Sequence, residues 1–184
     1  MTEGGPFTGR LLPGEHIVWS GRPATGLLFT PRDAFLVPFS LLWCGFVIFW
    51  IIGVLASGGG PFALVGVAFL AFGLFFSAGR FALDATLRGN TTYALTDRRI
   101  LISRTGPFSS FKALTLDRLP EAEISERSDG RGTVRFGQQQ SLMGFGQPGL
   151  SIWTPALDPT PQFLAIADAR KVFDLVQQAV GRDR

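Results

Sequence analysis

The chain has almost none of the residues that build reactive centres. Of its 184 residues, one is cysteine, one is histidine and one is tyrosine. The single cysteine, Cys44, excludes an intramolecular disulfide and any Cys-x-x-Cys metal or redox site. The single histidine, His16, excludes a histidine cluster around a metal and leaves any Ser-His-Asp arrangement dependent on that one residue. His16 reads as a polar residue beside a short strand. The largest absence is of charge. Between Asp33 and Arg80 lie 46 residues without one Asp, Glu, Lys or Arg, broken only at Ser57-Gly58-Gly59-Gly60-Pro61.

A bilayer core about 30 Å thick takes roughly 20 helical residues to cross. The uncharged stretch therefore has the length of two membrane helices and one turn. Ten of the 18 phenylalanines fall between Asp33 and Asp84. The polar, Gly/Pro-rich residues 1–30 contain no short apolar run before a cleavage site, so they read as a segment with a short strand and not as a signal peptide. Thr30-Pro31-Arg32-Asp33 predicts a helix start, with Thr30 as cap, Pro31 in the first turn and Asp33 at the positive end of the helix dipole. The hairpin is predicted over residues 31–88, as helices at about 31–56 and 61–88 with residues 57–60 as the turn outside the membrane. Pro38 bends the first helix slightly, Arg80 snorkels to the interface, and Gly89 terminates the second.

Charge sets the orientation. Arg10, Arg22 and Arg32 precede the hairpin, Arg80, Arg88, Arg98 and Arg99 follow it, and the turn is uncharged. The excess of basic side chains on one side predicts that both termini lie in the cytoplasm. Residues 80–112 hold six basic groups and two acidic ones, so the positive excess lies next to the membrane. Arg80, Arg88, Arg98, Arg99, Arg104 and Lys112 are the candidates for contact with anionic lipid headgroups. Ala63, Gly66, Leu70, Gly73 and Ser77 share one face of the second helix. Ala63, Gly66, Gly73 and Ser77 are small enough for close helix approach, either onto the first helix or onto a membrane partner.

From residue 89 to 184 the pattern becomes alternation and turns. Strands are predicted at 91–95, 99–104, 111–116, 123–127, 133–136, 150–153 and 162–166, with Asp129-Gly130 as a hairpin turn. Ala169, Val172, Phe173, Val176, Ala179 and Val180 form one apolar helical stripe. The fold class expected is a membrane α-helical hairpin plus a mainly-β domain of about seven strands capped by a C-terminal helix.

Thr92-Tyr93-Ala94-Leu95-Thr96-Asp97-Arg98-Arg99-Ile100-Leu101-Ile102 resembles the signature of bacterial membrane proteins with a pleckstrin-homology (PH) domain. Leu12-Pro13-Gly14-Glu15-His16-Ile17-Val18-Trp19-Ser20-Gly21-Arg22-Pro23 resembles the element those proteins carry before their hairpin. Residues 163–172 resemble their last strand and capping helix. The resemblance covers nearly the whole chain. It implies a PH-like domain, the bacterial cytoplasmic (inner) membrane and no common enzyme activity. Residues 11–23 either add a strand to the PH-like sheet or lie on the membrane.

Other motifs lead elsewhere or nowhere. Gly144-Phe145-Gly146-Gln147-Pro148-Gly149 fits GxGxxG, but Pro148 interrupts it and a strand pattern follows where a nucleotide site needs a helix. Residues 138–149 read as a loop between strands, with composition suited also to a partner. Glu121, Glu123, Glu126 and Asp129 read as a solvated strand face and not a metal site. The small basic excess and the lack of a recognition helix argue against nucleic acid. The expectation is a non-enzymatic integral membrane scaffold, assembly factor or accessory subunit with no cofactor, metal or nucleotide. Its partner is a membrane protein or another copy of itself. The alternative is a sensor or tether that binds anionic lipid through its basic juxtamembrane face.

Overall fold

The computed structural model describes residues 6–182 except 8, 107, 120, 128–129 and 138–153. The chain divides into two compact units. Residues 27–85 form one; residues up to 26 and from 86 onward form the other. The first unit is thus inserted into the sequence of the second.

In the inserted unit, helix α1 runs Asp33–Ala56. Helix α2 runs Gly60–Leu74 and continues through a π-helical turn, Phe75–Gly79, into α3, Arg80–Gly89. The two continuous helices, 24 and 30 residues long, are long and apolar enough to cross a membrane. The α1 start is a reciprocal cap two residues beyond the predicted Pro31. The Asp33 amide donates to Thr30 O, while the Thr30 amide and hydroxyl donate to Asp33 Oδ2 at 2.5 and 2.9 Å.

The small-residue face of α2 is used inside the hairpin. Ala63, Gly66 and Gly73 are buried. A Cβ on Gly66 would strike Ile51 and stand 2.9 Å from Trp50 Cζ3; one on Gly73 would stand 2.6 Å from Cys44 Sγ and 2.9 Å from Trp43 Cδ1. These glycines let the two helix backbones approach closely. Leu70 and Ser77 are half-buried, and Ser77 Oγ donates to Leu74 O within its own helix.

One ion pair closes the base of the hairpin. Asp33 Oδ1 lies 2.6 Å from Arg80 Nη1, both side chains almost fully enclosed at 4% and 3% exposure. The π turn widens the helix one residue before Arg80, and Arg80 Nε donates to Phe76 O at 2.7 Å. Phe81 stacks under the guanidinium, 4.3 Å from ring centre to Cζ. The predicted snorkelling Arg80 is thus turned onto a carboxylate instead, since a buried guanidinium without a partner costs far more than a paired one.

The second unit is two antiparallel sheets and a helix. Strands β1 (Ile17–Gly21), β2 (Thr91–Thr96), β3 (Arg99–Arg104) and β4 (Ser110–Thr115) form a four-stranded sheet in that order. Strands β5 (Ala122–Glu126), β6 (Gly132–Phe136) and β7 (Gln162–Ile166) form a three-stranded one. Helix α4, Ala169–Arg182, follows. Residues 17–21 therefore join the sheet, pairing with β2 across the whole inserted hairpin. The predicted strand at 150–153 and the loop with the GxGxxG sequence lie outside the described residues. Tyr93, Leu95, Ile100 and Ile102 of the first sheet meet Val134, Phe136, Phe163 and Ile166 of the second, and Ala169, Val172 and Val176 of α4 complete this core. Gly132 sits where a Cβ would lie 2.8 Å from Ala169 Cβ, so α4 docks through a glycine gap.

Cys44 makes the hairpin packing measurable. Replacing Gly73 by Leu overpacks the helix contact, at a cost of about 1–3 kcal/mol. The expected outcome is faster alkylation of Cys44 by a membrane-permeant maleimide in Gly73→Leu than in the wild type; equal rates would show that the glycine contact does not hold the helices together.

Candidate functional site

Two clusters of charged side chains lie in the sheet-containing unit, and they behave differently. In the first, the charges cancel. Glu15 has its carboxylate fully enclosed, and Arg99 grips it with two donors, Nη2 to Oε2 at 2.6 Å and Nε to Oε1 at 3.0 Å. The Leu12 amide adds a bond to Oε2 and the Thr96 hydroxyl one to Oε1, both 2.7 Å. Thr96 Oγ1 in turn accepts from the Arg99 and Arg98 amides, which shapes the β2–β3 turn. A second pair of bonds runs beside it: the His16 amide donates to Asp97 Oδ1, and the Asp97 amide to His16 O. The Arg99 guanidinium, with the Leu12 amide and the Thr96 hydroxyl, holds the Glu15 carboxyl down at about 2 against the opposing effect of burial. Arg99 is raised in return by Glu15.

The second cluster is built mainly of basic side chains held by backbone carbonyls. Thr91, Arg104 and Ser110 are cross-strand neighbours on β2, β3 and β4, and Tyr93, Ile102 and Lys112 form the next row on the same face. This end of the sheet, Arg88 and the 155–162 segment leading into β7 enclose a recess of about 40 Å³, open on one side. Arg88, Arg104 and Lys112 all line it; among the described residues Asp158 is the carboxylate in its wall. The cations are held by backbone oxygens. Arg104 Nη1 donates to Ala156 O at 2.6 Å and Nε to Phe108 O at 2.9 Å, and Nη2 reaches Ser110 Oγ at 3.2 Å. Lys112 Nζ donates to Pro159 O at 2.8 Å. Arg88 Nη1 donates to Ala24 O and Nη2 to Gly26 O, where the chain leaves this unit for the hairpin. Burial lowers the pKa of Arg104, and burial followed by the charge of Arg104 lowers that of Lys112.

The six basic residues singled out in the sequence are therefore divided. Arg80 is enclosed against Asp33 and Arg99 against Glu15. Arg98 is exposed, 3.8 Å from Asp97. Only Arg88, Arg104 and Lys112 come together. Glu15 and Asp33 were not identified as partners, because their partners are 84 and 47 positions away in the chain and no local spacing signals them. The Ser110 and Thr160 positions of the recess were missed as well; they follow only from strand register and loop path. Among the described residues no group of three or more His, Cys, Asp or Glu is placed to hold a metal ion. Glu126 instead lies 3.8 Å from Arg170 at the surface.

No family model matches the chain, and no curated protein or solved structure is recognisably similar to it.

The Glu15 carboxyl has a defined pH signature. Its folded pKa lies below the ordinary 4.5, so its contribution is present above about pH 4.5 and is lost as pH falls towards 2. Glu15→Gln removes a charge-assisted bond worth about 1.5–3 kcal/mol. The full chain in detergent should then show faster amide exchange in residues 17–21 for Glu15→Gln at pH 7, with the difference from the wild type shrinking below pH 4. A difference that stays constant to pH 3 would exclude the ionised carboxylate as its cause.

Proposed function

We propose that this protein is a non-enzymatic integral membrane scaffold, an assembly factor or accessory subunit that holds a PH-like domain at the cytoplasmic face of a bacterial inner membrane. The four-plus-three arrangement of antiparallel strands followed by a C-terminal helix supports the PH-like reading. The arginine-rich flanks and uncharged turn support cytoplasmic termini.

The observation that carries the scaffold reading is the outer surface of α1. Phe35, Phe39, Leu42, Phe46 and Phe49 are all exposed and recur at alternating steps of four and three. That is the spacing of a helix-packing seam, since it keeps one stripe facing a single neighbour over several turns. Gly53 and Ala56 continue the same spacing with small residues. The small-residue face of α2 is already occupied by α1 through Gly66 and Gly73. A lateral partner is therefore expected on the phenylalanine seam of α1 and not on the glycine face of α2. In a membrane, such contacts form by van der Waals packing of complementary surfaces.

The test is purification of tagged full-length protein in mild detergent, with identification of what co-elutes. A stoichiometric membrane protein is expected, and the Phe39→Ala/Phe46→Ala variant should lose it by at least about tenfold if two anchoring aromatics are removed. The same variant should keep its own fold, because both side chains are exposed. Retention of the partner by the variant, or elution of the wild type alone, would count against the seam.

A further inference from the structure

We propose that the outer face of the four-stranded sheet is a docking site for a protein segment with a phenylalanine and, three residues on, an arginine, and that this chain's own N-terminal arm keeps the site covered. The observation is Phe7. It belongs to no strand, yet it is only 3% exposed, packed on Ala94 and Leu101, which are themselves fully enclosed. Tyr93, Leu95, Ile100 and Ile102 enter the core, so strand alternation turns Ala94 and Leu101 to the opposite face of the sheet. There the two are cross-strand partners, and Leu101 pairs on its other side with Ala113. A leucine between two alanines forms a shallow apolar hollow, and an aromatic ring fills it.

The arm brings a second group to the same face. The Arg10 amide donates to Phe7 O at 2.9 Å and closes a turn in which Gly9 takes a φ of +78°. That turn carries the Arg10 guanidinium over the Phe111 ring, 4.6 Å from its centre. Arg99 Nη2 donates to Arg10 O at 3.2 Å. The segment that fits is therefore legible from its present occupant: a ring for the Ala94–Leu101 row and a cation for the exposed ring of Phe111.

The cover is replaceable. Among the described residues the arm adds no strand to the sheet, and the bond from Arg99 is the hydrogen bond that ties it there. A segment held chiefly by one ring opens locally at far lower cost than the core does. The root of the arm, by contrast, is fixed: the Leu12 amide donates to Glu15 Oε2 and the Glu15 amide to Leu12 O. Phe7 is thus tethered beside its own site at high effective concentration. Another copy's arm has its own face to fill and gains nothing by exchange. A segment without such a face does gain, provided that its protein is already held alongside. The lateral partner expected on α1 meets that condition, so the source of the segment rests on the scaffold reading, while the site itself does not.

The experiment reads the cover through a cysteine beneath it. Full-length Ala94→Cys in a Cys44→Ser background is treated in detergent with a water-soluble maleimide. Alkylation is expected to be slow with Phe7 in place and at least about tenfold faster after Phe7→Ala, because burying a phenylalanine shifts an equilibrium by that order or more. The peptide Pro-Phe-Thr-Gly-Arg-Leu, residues 6–11, is then added at millimolar concentration. It should slow alkylation of the Phe7→Ala protein at least about threefold, and the same peptide with alanine in place of phenylalanine should not. Thermal unfolding checks that each variant is folded, and Leu101→Cys serves as the reporter if Ala94→Cys unfolds. Equal alkylation with and without Phe7, or failure of the peptide to protect folded Phe7→Ala, would overturn the proposal. Protection of Phe7→Ala by a co-reconstituted full-length copy carrying Phe7 would overturn it too, by assigning the face to self-association. None of these readings involves the α1 seam, so their failure leaves the seam standing, and loss of the seam leaves the peptide result unchanged.

Discussion

The pairing of β1 with β2 is the constraint on which the rest depends. These neighbours in the sheet are separated in sequence by the entire hairpin, so closing them requires ordering a very long connection. The entropic cost of closure grows only slowly with loop length, but some local interaction must still offset it. Glu15 supplies one. It sits just ahead of β1 and takes four hydrogen bonds, three of them from the end of β2 and the start of β3. The connection is also pinned at its far end. Arg88 bonds the carbonyls of Ala24 and Gly26, and the Ala24 amide donates to Ala165 O of β7. The outgoing and returning segments are thus fastened within one unit, and the hairpin is held as an insertion, not a tail.

This arrangement gives a physical meaning to the segments 12–15 and 93–99. In Tyr93-x-Leu95-Thr96-x-x-Arg99, Tyr93 and Leu95 enter the core, and Tyr93 Oη accepts from the Leu164 amide of β7. Thr96 and Arg99 point to the same carboxylate, and that carboxylate belongs to the Leu12-Pro13-Gly14-Glu15 segment. The two motifs are halves of one contact. Replacing Glu15 leaves a half-buried guanidinium; replacing Arg99 leaves a buried carboxylate. Either loss costs more than the pair contributes over an apolar substitute, which is how a buried pair specifies register without adding much net stability.

Much of this fold was legible in the chain because hydrophobic spacing reports local structure directly. The strands at 91–96, 99–104, 122–126, 132–136 and 162–166 match alternation and turn residues to within one or two positions, and α4 follows its apolar stripe. The two long apolar helices were legible from the uncharged run alone. What was hidden is the pairing of distant charges. The same six basic residues look alike in sequence, yet Arg80 and Arg99 end on carboxylates, Arg98 in solvent, and the others around a recess. The π turn at 75–79 was equally hidden, since no residue in Phe75-Phe76-Ser77-Ala78-Gly79 demands it; its consequence is visible only in the aim of Arg80.

Carboxylate supply, not basicity, sorts these cations. The chain is poor in acidic groups just after the hairpin, with only Asp84 and Asp97 against six basic residues over 80–112. Distant acids compensate two of the six: Asp33 from the start of the hairpin and Glu15 from the segment before it. Each is enclosed, so each is committed to one partner and cannot be shared. Once they are committed, the positive excess is concentrated where strand register places Arg104 beside Ser110 and one row from Lys112. Carbonyl oxygens then hold those side chains inward instead of letting them extend into water, where counterions would screen them. A protein that needed only a diffuse basic surface to meet an anionic membrane would gain nothing from that inward aim. Half-burying the charges weakens their long-range attraction and strengthens the short-range bonds to the carbonyls that hold them.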